Sequence, residues 1–255
     1  MDHSNCLLNL KLKMSAQPKR PLRYFFFDLD DCLYPKSSNI NVHVRNRIAQ
    51  YLSEVLGIEN AMEKSVNLYL NHGTTLRGLI AEGYDVDPLT FYHFVHSGFG
   101  LDGVQKNDIE LHAMIQKLKT NIDKLILFTN SDSRHANRLM DHLGITELFD
   151  KIVCYEDLEL SVKPHRHSYE IACELAGLPT GSSETHALSW REMIVNGQLE
   201  IYFADDNLKN ITSAIEMGWS SCWVCEAGLE GPPNEQIPTI QDIKQIVKIW
   251  SHLFQ

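Results

Sequence analysis

A doubly wound, Rossmann-like parallel α/β sheet carrying an all-helical insertion is the architecture to expect from this chain. From residue 119 onwards apolar runs alternate with amphipathic stretches: "KLILFTN", "SDSRHANRLMDHLG", "KIVCY", "KPHRHSYEIACELAG", "LEIYFADD", "NLKNITSAIEMG" and "SSCWVC". Continuous apolar strands divided by helices imply a sheet buried on both faces, which is the parallel arrangement. One more strand stands alone ahead of them, in "YFFFDLDDCLYP" at residues 24–35, and between it and "KLILFTN" every periodic stretch is helical.

The elements follow in order. Residues 1–20 read as a loose tail, too interrupted by Asn and Lys for a secretory signal, and the ordered domain is expected from about Pro21. After the first strand, "INVHVRNRIAQYLSEVLG" spaces Val44, Ile48, Leu52, Val55 and Leu56 at helical intervals and closes on Gly57. "AMEKSVNLYLNHG", "TTLRGLIAEG", "DPLTFYHFVHSG" and "NDIELHAMIQKLKT" repeat the pattern, each with an N-cap candidate or a terminal glycine. The core is therefore expected at 21–37 and 119–255, with a helical cap at 38–118.

Composition narrows the functional classes. With 44% hydrophobic and 22% charged residues, the 255-residue chain has the balance of a soluble globular protein. A formal net charge of -10 disfavours polymeric nucleic acid as a partner but permits a local basic pocket for a small phosphorylated metabolite. No run approaches the roughly 18 apolar residues of a membrane span. Of the six cysteines, Cys32, Cys154, Cys173 and Cys222 lie in or beside apolar runs, as buried reduced thiols do, which points to a reducing, cytoplasmic compartment. Cys222 and Cys225 have no second pair at zinc spacing, and a strand would turn them to opposite faces.

In such sheets ligands gather at the carboxyl ends of the strands. Those ends carry Asp28, Asp30 and Asp31, then Thr129 and Asn130, then Lys163 in "SVKP", then Asp205 and Asp206. Converging carboxylates repel one another unless a cation sits among them. Mg²⁺ takes oxygen ligands, so Asp28, a backbone carbonyl of the "DLD" turn and one of Asp205 and Asp206 form a plausible set. Thr129, the amides after it and Lys163 then suit phosphoryl oxygens. One carboxylate can attack phosphorus and a second, two residues on, can handle the leaving-group proton; in an extended segment Asp28 and Asp30 share a face while Asp31 points elsewhere. Each group has a simpler reading: turn aspartates, Ser131 capping "SDSRHANRLM", Lys163 preceding a helical Pro164, Asp205 and Asp206 capping the next helix. Capping does not explain why all four stand in order at strand ends.

In the insertion, Thr74, Thr75 and Arg77 of "NHGTTLRGL", with Tyr34 at the hinge, are candidates for reading a ribose, a base or a second anionic group. The alternative is Thr74 as an N-cap and Arg77 as a solvated helix residue. His72, His93 and His96 read as structural or surface histidines, since magnesium prefers oxygen.

"FFFDLDDCLY", "ILFTNSDSRHA", "SVKP" and "YFADDNLKNI" resemble the four ordered motifs of the haloacid dehalogenase (HAD) superfamily of phosphohydrolases across residues 23–226, with the insertion in the place of its first-position cap. "DLDDCLYP", "GTTLRGL", "YHFVH" and "FTNSDSRHA" look most like its pyrimidine 5′-nucleotidase-like branch of yeast and plants. The resemblance implies Asp28 as nucleophile, Asp30 as general acid/base and carbonyl ligand of Mg²⁺, and Thr129 at the phosphate with Leu29 and Asn130. It further implies Lys163 as charge stabiliser, Asp206 as direct metal ligand, Asp205 in the outer shell and Asn210 orienting Lys163. The implied activity is magnesium-dependent hydrolysis of nucleoside 5′-monophosphates through an aspartyl-phosphate. Alternatives are a sugar phosphate or other small metabolite on the same core, or a non-catalytic binding module. Two departures stand out: "GLPTGSSETHALSWREMIVNGQ" where a short loop is usual, an added flap or partner surface, and "FVHSGFG" where plant-like relatives carry an arginine.

Overall fold

The computed structural model describes residues 20–158, 160–181, 188–226 and 236–255, so residues 1–19 of the tail and residues 182–187 of the long insertion lie outside the described residues. Six parallel strands, β1 (Leu22–Phe27), β2 (Lys124–Phe128), β3 (Lys151–Val153), β4 (Leu199–Asp205), β5 (Ser220–Val224) and β6 (Thr239–Ile240), form one sheet in the order β3-β2-β1-β4-β5-β6. β1 is central: Phe27 is opposite Leu127 on one side and Ala204 on the other. Strand order reverses there, which opens a crevice at the carboxyl ends of β1 and β4. β6 escapes the sequence pattern because two residues carry no period.

Alternation along β1 divides the core. Phe26 faces Phe128, Phe203, Tyr169 and Trp219, whereas Phe25 and Phe27 face Leu125, Leu127, Tyr202 and Leu139 on the opposite side. All three phenylalanines are fully buried, each worth roughly 1.5–3 kcal/mol of transfer free energy. The helices behind them are α6 (Ser133–Leu143) and α10 (Ile246–Ile249) on the Phe25 side, and α7 (Arg166–Leu175) and α9 (Leu208–Glu216) on the Phe26 side.

Between β1 and β2 run α1 (Ile40–Glu54), α2 (Ala61–His72), α3 (Thr75–Ala81), α4 (Pro88–Val95) and α5 (Ile109–Lys119). Side chains start them cleanly: Thr74 caps α3, Asp87 caps α4 with Pro88 in the first turn, and Asp108 caps α5. The last of these does not belong with the others. Leu111, Met114, Ile115 and Leu118 of α5 bury against the Phe25 and Phe27 face, so α5 is a sheet-covering helix and the cap ends before it, not at residue 118. Helical periodicity marks an apolar face without saying what meets it, which is why the sequence places that boundary too late.

The long insertion after α7 is partly an element of the core. Ser189 and Glu192 form a capping box on α8 (Trp190–Val195), and Trp190 is buried against Trp219. Cys32, Cys154, Cys173, Cys222 and Cys225 are free and buried. No described helix is long and apolar enough to cross a membrane.

The two chain crossings between sheet and insertion touch at Gly103, where an added Cβ would come 2.3 Å from the carbonyl oxygen of Ser38. Backbone cannot yield as a flexible side chain does. Gly103→Ala is expected to destabilise the protein by about 1–3 kcal/mol, lowering the thermal midpoint by several degrees. Thermal unfolding of the two proteins, followed by circular dichroism, checks this; an unchanged midpoint rules out the close approach.

Candidate active site

The carboxyl ends of β1 and β4 and the loop beyond β3 deliver the acids and their partner, Lys163, to one place. The amide of Asp28 still donates to Ala204 O at 2.9 Å, and then the chain turns, with Asp31 at φ 57°. That turn changes one expectation: Asp31 does not point away, since it lines the same cavity as Asp28 and Asp30.

Lys163 is the centre of the arrangement. Its side chain is 1% exposed, and Nζ donates to Asp28 Oδ1, Asp205 Oδ2 and Phe128 O, each at 2.7 Å. Three donors thus meet three acceptors, with the rings of Phe128 and Phe203 at 4.9 and 5.4 Å. Burial acts against the charge, but Asp205 and Asp28 outweigh it and hold the ammonium pKa above its ordinary value. For Asp28 burial is the larger effect, reinforced by Asp205 and Asp30, and its carboxyl is pushed up despite Lys163.

Asp205 is fully buried, and its oxygens also accept from the Asn207 amide at 2.7 Å and from Asn210 Nδ2 at 2.9 and 3.0 Å. Asn210 therefore acts on Asp205 and does not touch Lys163, contrary to the sequence expectation. Neither Asp205 nor Asp206 caps α9, since Asn207 does so by accepting from the Lys209 amide. Lys209, beside the same cavity, is a cation the sequence reading did not single out.

Thr129 is buried, and its Oγ1 accepts from the Ser131 amide at 3.0 Å, which leaves the hydroxyl proton to donate. The Asn130 side chain exchanges bonds with the backbone of Lys163, 2.9 Å each way, so it ties the lysine loop to the end of β2. Leu29 packs fully buried beneath the turn. Ser131 is not the cap of α6: Asp132 is, accepting from the amides of Arg134 and His135 at 3.0 and 3.1 Å.

Asp30 is held by groups that the sequence reading missed. Oδ1 accepts from Tyr34 Oη at 2.6 Å and His135 Nε2 at 2.8 Å, and Oδ2 from Ser131 Oγ at 2.7 Å. Burial raises the Asp30 pKa, but His135, Tyr34 and Ser131 together hold the carboxyl well below the usual range. The available signal was "SDSRHA" directly after a strand end, where hydroxyl and imidazole enter the first turn of a helix. Tyr34 is thus spent on Asp30. His96 pairs with Asp132, in keeping with a structural histidine.

Thr74 caps α3 through the Arg77 amide and borders the cavity of the acids, and Thr75, whose hydroxyl donates to Ser65 O at 3.2 Å, borders the larger cavity beside it. Arg77 lines a separate cavity with Ile80, Tyr155 and Val162, away from the acids. The acids instead open on a cavity of about 290 Å³ and, beside it under α1 and α2, one of about 560 Å³ bordered by Asn41, Arg45, Val44, Ile48 and Tyr69.

The donor set fits a hard cation. Ligand oxygens of Asp28, Asp205 and Asp206 lie within 4.8 Å of one another, three carboxylates against the one ammonium of Lys163. Burial, and then the charges of Asp205, Asp28 and Asp31, push the Asp206 carboxyl well above its ordinary range. One Asp31 oxygen beside them is buried without a partner. An all-oxygen cluster with uncompensated negative charge suits Mg²⁺ and not a thiolate or imidazole metal.

A family model of haloacid dehalogenase-like hydrolases matches residues 22–218. The chain is 30% identical over 212 residues to Phosphate metabolism protein 8 of Saccharomyces cerevisiae, covering 79% of this chain and 61% of that one, so it spans about three fifths of the length of this curated relative. Among solved structures it is similar to a HAD phosphatase from Thermococcus onnurineus, with TM-score 0.55 and 16% identity over 89% of this chain and 97% of that one. A HAD-superfamily hydrolase from Ehrlichia chaffeensis gives TM-score 0.50 and 17% identity over 93% and 100% of the two chains. At these identities the structures show the fold.

Removing one partner of a buried ion pair strands the other. Lys163→Met leaves Asp28 and Asp205 buried without their cation and is expected to cost about 3–5 kcal/mol at neutral pH. Because a raised lysine pKa contributes stability below its unfolded value, the wild-type advantage extends through neutrality and fades only in strong alkali. Denaturant unfolding tests this, with Lys163→Met/Asp205→Asn expected to recover part of the loss.

Proposed function

The chain belongs to the haloacid dehalogenase-like hydrolase family, and from that premise we propose that it is a magnesium-dependent phosphomonoesterase acting on nucleoside 5′-monophosphates through an aspartyl-phosphate. The observation that carries this reading is the buried Lys163 bridging Asp28 and Asp205 beside Asp206, a charge arrangement suited to a dianionic phosphoryl group and a divalent cation together.

Asp28, Asp206 and the backbone carbonyl of Asp30 would hold Mg²⁺, with Asp205 behind them. When bound, the cation supplies charge neutralisation for the phosphoryl oxygens. Asp28 attacks phosphorus with the oxygen not engaged by Lys163, and the ester oxygen leaves opposite it. The Thr129 hydroxyl donates to a phosphoryl oxygen, while Lys163, its three protons held by Asp28, Asp205 and Phe128 O, supplies fixed positive charge beside the oxygens on which charge spreads in the transition state. Asp30, a carboxylate in the empty site, would take up a proton from solvent as the dianionic phosphoryl group binds beside it, give that proton to the leaving oxygen, and then take one from the water that cleaves the aspartyl-phosphate, so Asp28 is regenerated and phosphate released.

Substrate choice rests on the larger cavity. Its walls combine apolar side chains of α1 and α2, such as Ile40, Val44, Ile48 and Val66, with Arg45, Lys36 and Asn41. An apolar wall with a few polar groups favours a leaving group that carries a flat base over a small polyol, and this supports the nucleotide over the sugar-phosphate reading. The name of the yeast relative, Phosphate metabolism protein 8, agrees with phosphate release as the chemistry.

Phosphate release from a panel of nucleoside monophosphates and sugar phosphates, with magnesium or with chelator, tests the proposal. Nucleotides are expected to be preferred, and Asp28→Asn to lower the rate at least about a thousandfold. No release from any substrate by folded, magnesium-loaded protein would sink it. Asp206→Asn is expected to raise the magnesium concentration for half-maximal rate by at least about tenfold.

A further inference from the structure

Asp30 carries two donors on one oxygen and a single donor on the other. Tyr34 Oη and His135 Nε2 occupy Oδ1, so the oxygen left to exchange a proton with a substrate is Oδ2, next to Ser131. The orientation of the carboxyl plane therefore decides whether that proton reaches an ester oxygen.

His135 is built for that one bond. Its side chain is 1% exposed, and its other ring nitrogen, Nδ1, is buried with no partner. Nε2 faces a carboxylate, so the ring proton belongs there. A leucine at this position would fill the space without burying an unpartnered nitrogen, so packing alone does not account for an imidazole.

The ring is clamped from the helical insertion. His96, directly after α4, stacks on His135 with centroids 4.1 Å apart and planes 21° from parallel. His96 Nδ1 pairs with Asp132, whose other oxygen accepts from the backbone amide of His135 itself. Tyr92 of α4 adds a bond from its hydroxyl to Asn130 O at 3.0 Å. Insertion and core are thus joined beside Asp30.

We propose that His135, buttressed by His96, is the positioning residue that fixes the Asp30 carboxylate for proton transfer to and from the ester oxygen. This rests on the phosphomonoesterase reading.

The test compares leaving groups in the full-length, magnesium-loaded protein. p-Nitrophenolate departs without a proton, whereas the alkoxide of a nucleoside monophosphate requires one, and kcat/KM reports transfer of the phosphoryl group from either. His135→Leu is expected to lower kcat/KM about 10- to 100-fold for the nucleotide and less than about threefold for p-nitrophenyl phosphate. His135→Gln, which keeps an N–H, is expected to recover part of the loss. His96→Leu is expected to show the same contrast at smaller amplitude, and it decides the matter if His135→Leu does not fold. Equal losses on both substrates, or none, overturn the proposal. Wild-type protein that releases phosphate from neither substrate overturns the phosphatase reading, and this proposal with it.

Discussion

A single ammonium group lets this sheet end in acid. Asp28 and Asp205 stand at the tips of paired central strands, where backbone pairing brings them together whatever their charge. Two carboxylates so placed are unfavourable out of water unless a cation is fixed between them. Lys163 supplies that cation, and every other feature of the crevice is arranged around keeping it there. Asn130 holds its backbone in both directions, Phe128 and Phe203 flank the ammonium, and Asn210 restrains Asp205 from behind.

The same constraint explains where the variable parts of the molecule can lie. With Lys163 saturated by three acceptors, the phosphoryl end of the crevice has little freedom to change. The segment between β1 and α5 borders it through Asn41, Tyr69, Gly73 and Thr74, with Tyr34 of the hinge bonded to Asp30. Their interior is continuous with one sheet-face core, from Leu52 and Phe91 through Tyr92 and Tyr155 to Phe26. The insertion is thus anchored by ordinary apolar packing and contributes to the acids from one side only.

Much of this was legible in the chain, and the parts that were not have a common cause. Strands read as apolar runs because the sheet is buried on both faces, and the acids read as a site because they follow strand ends in order. The α5 boundary failed because apolar spacing looks alike on a cap and on a sheet. Asn130, Asn210, Ser131 and His135 were misassigned or overlooked because their roles are set by contacts across more than thirty residues or by the geometry of a first helical turn, and a linear pattern carries neither. Arg77 was drawn to the site by its charge type, yet helix α3 directs it to another cavity.

Asp30 stands where those two regimes meet, and its position separates the two halves of the proposed reaction. Phosphoryl transfer to Asp28 depends on charges that strand pairing and Lys163 have already fixed. Proton transfer depends on a carboxyl held by Tyr34 from the hinge, Ser131 from the end of β2 and His135 from α6. The second set reaches the insertion through the stacked His96. A leaving group seated under α1 and α2 therefore acts on the side chains that aim Asp30 and not on those that bind phosphorus. Selectivity in such a site belongs to the proton-transfer half, because a substrate that seats poorly still presents a phosphoryl group to Lys163 but no longer presents its ester oxygen to Asp30.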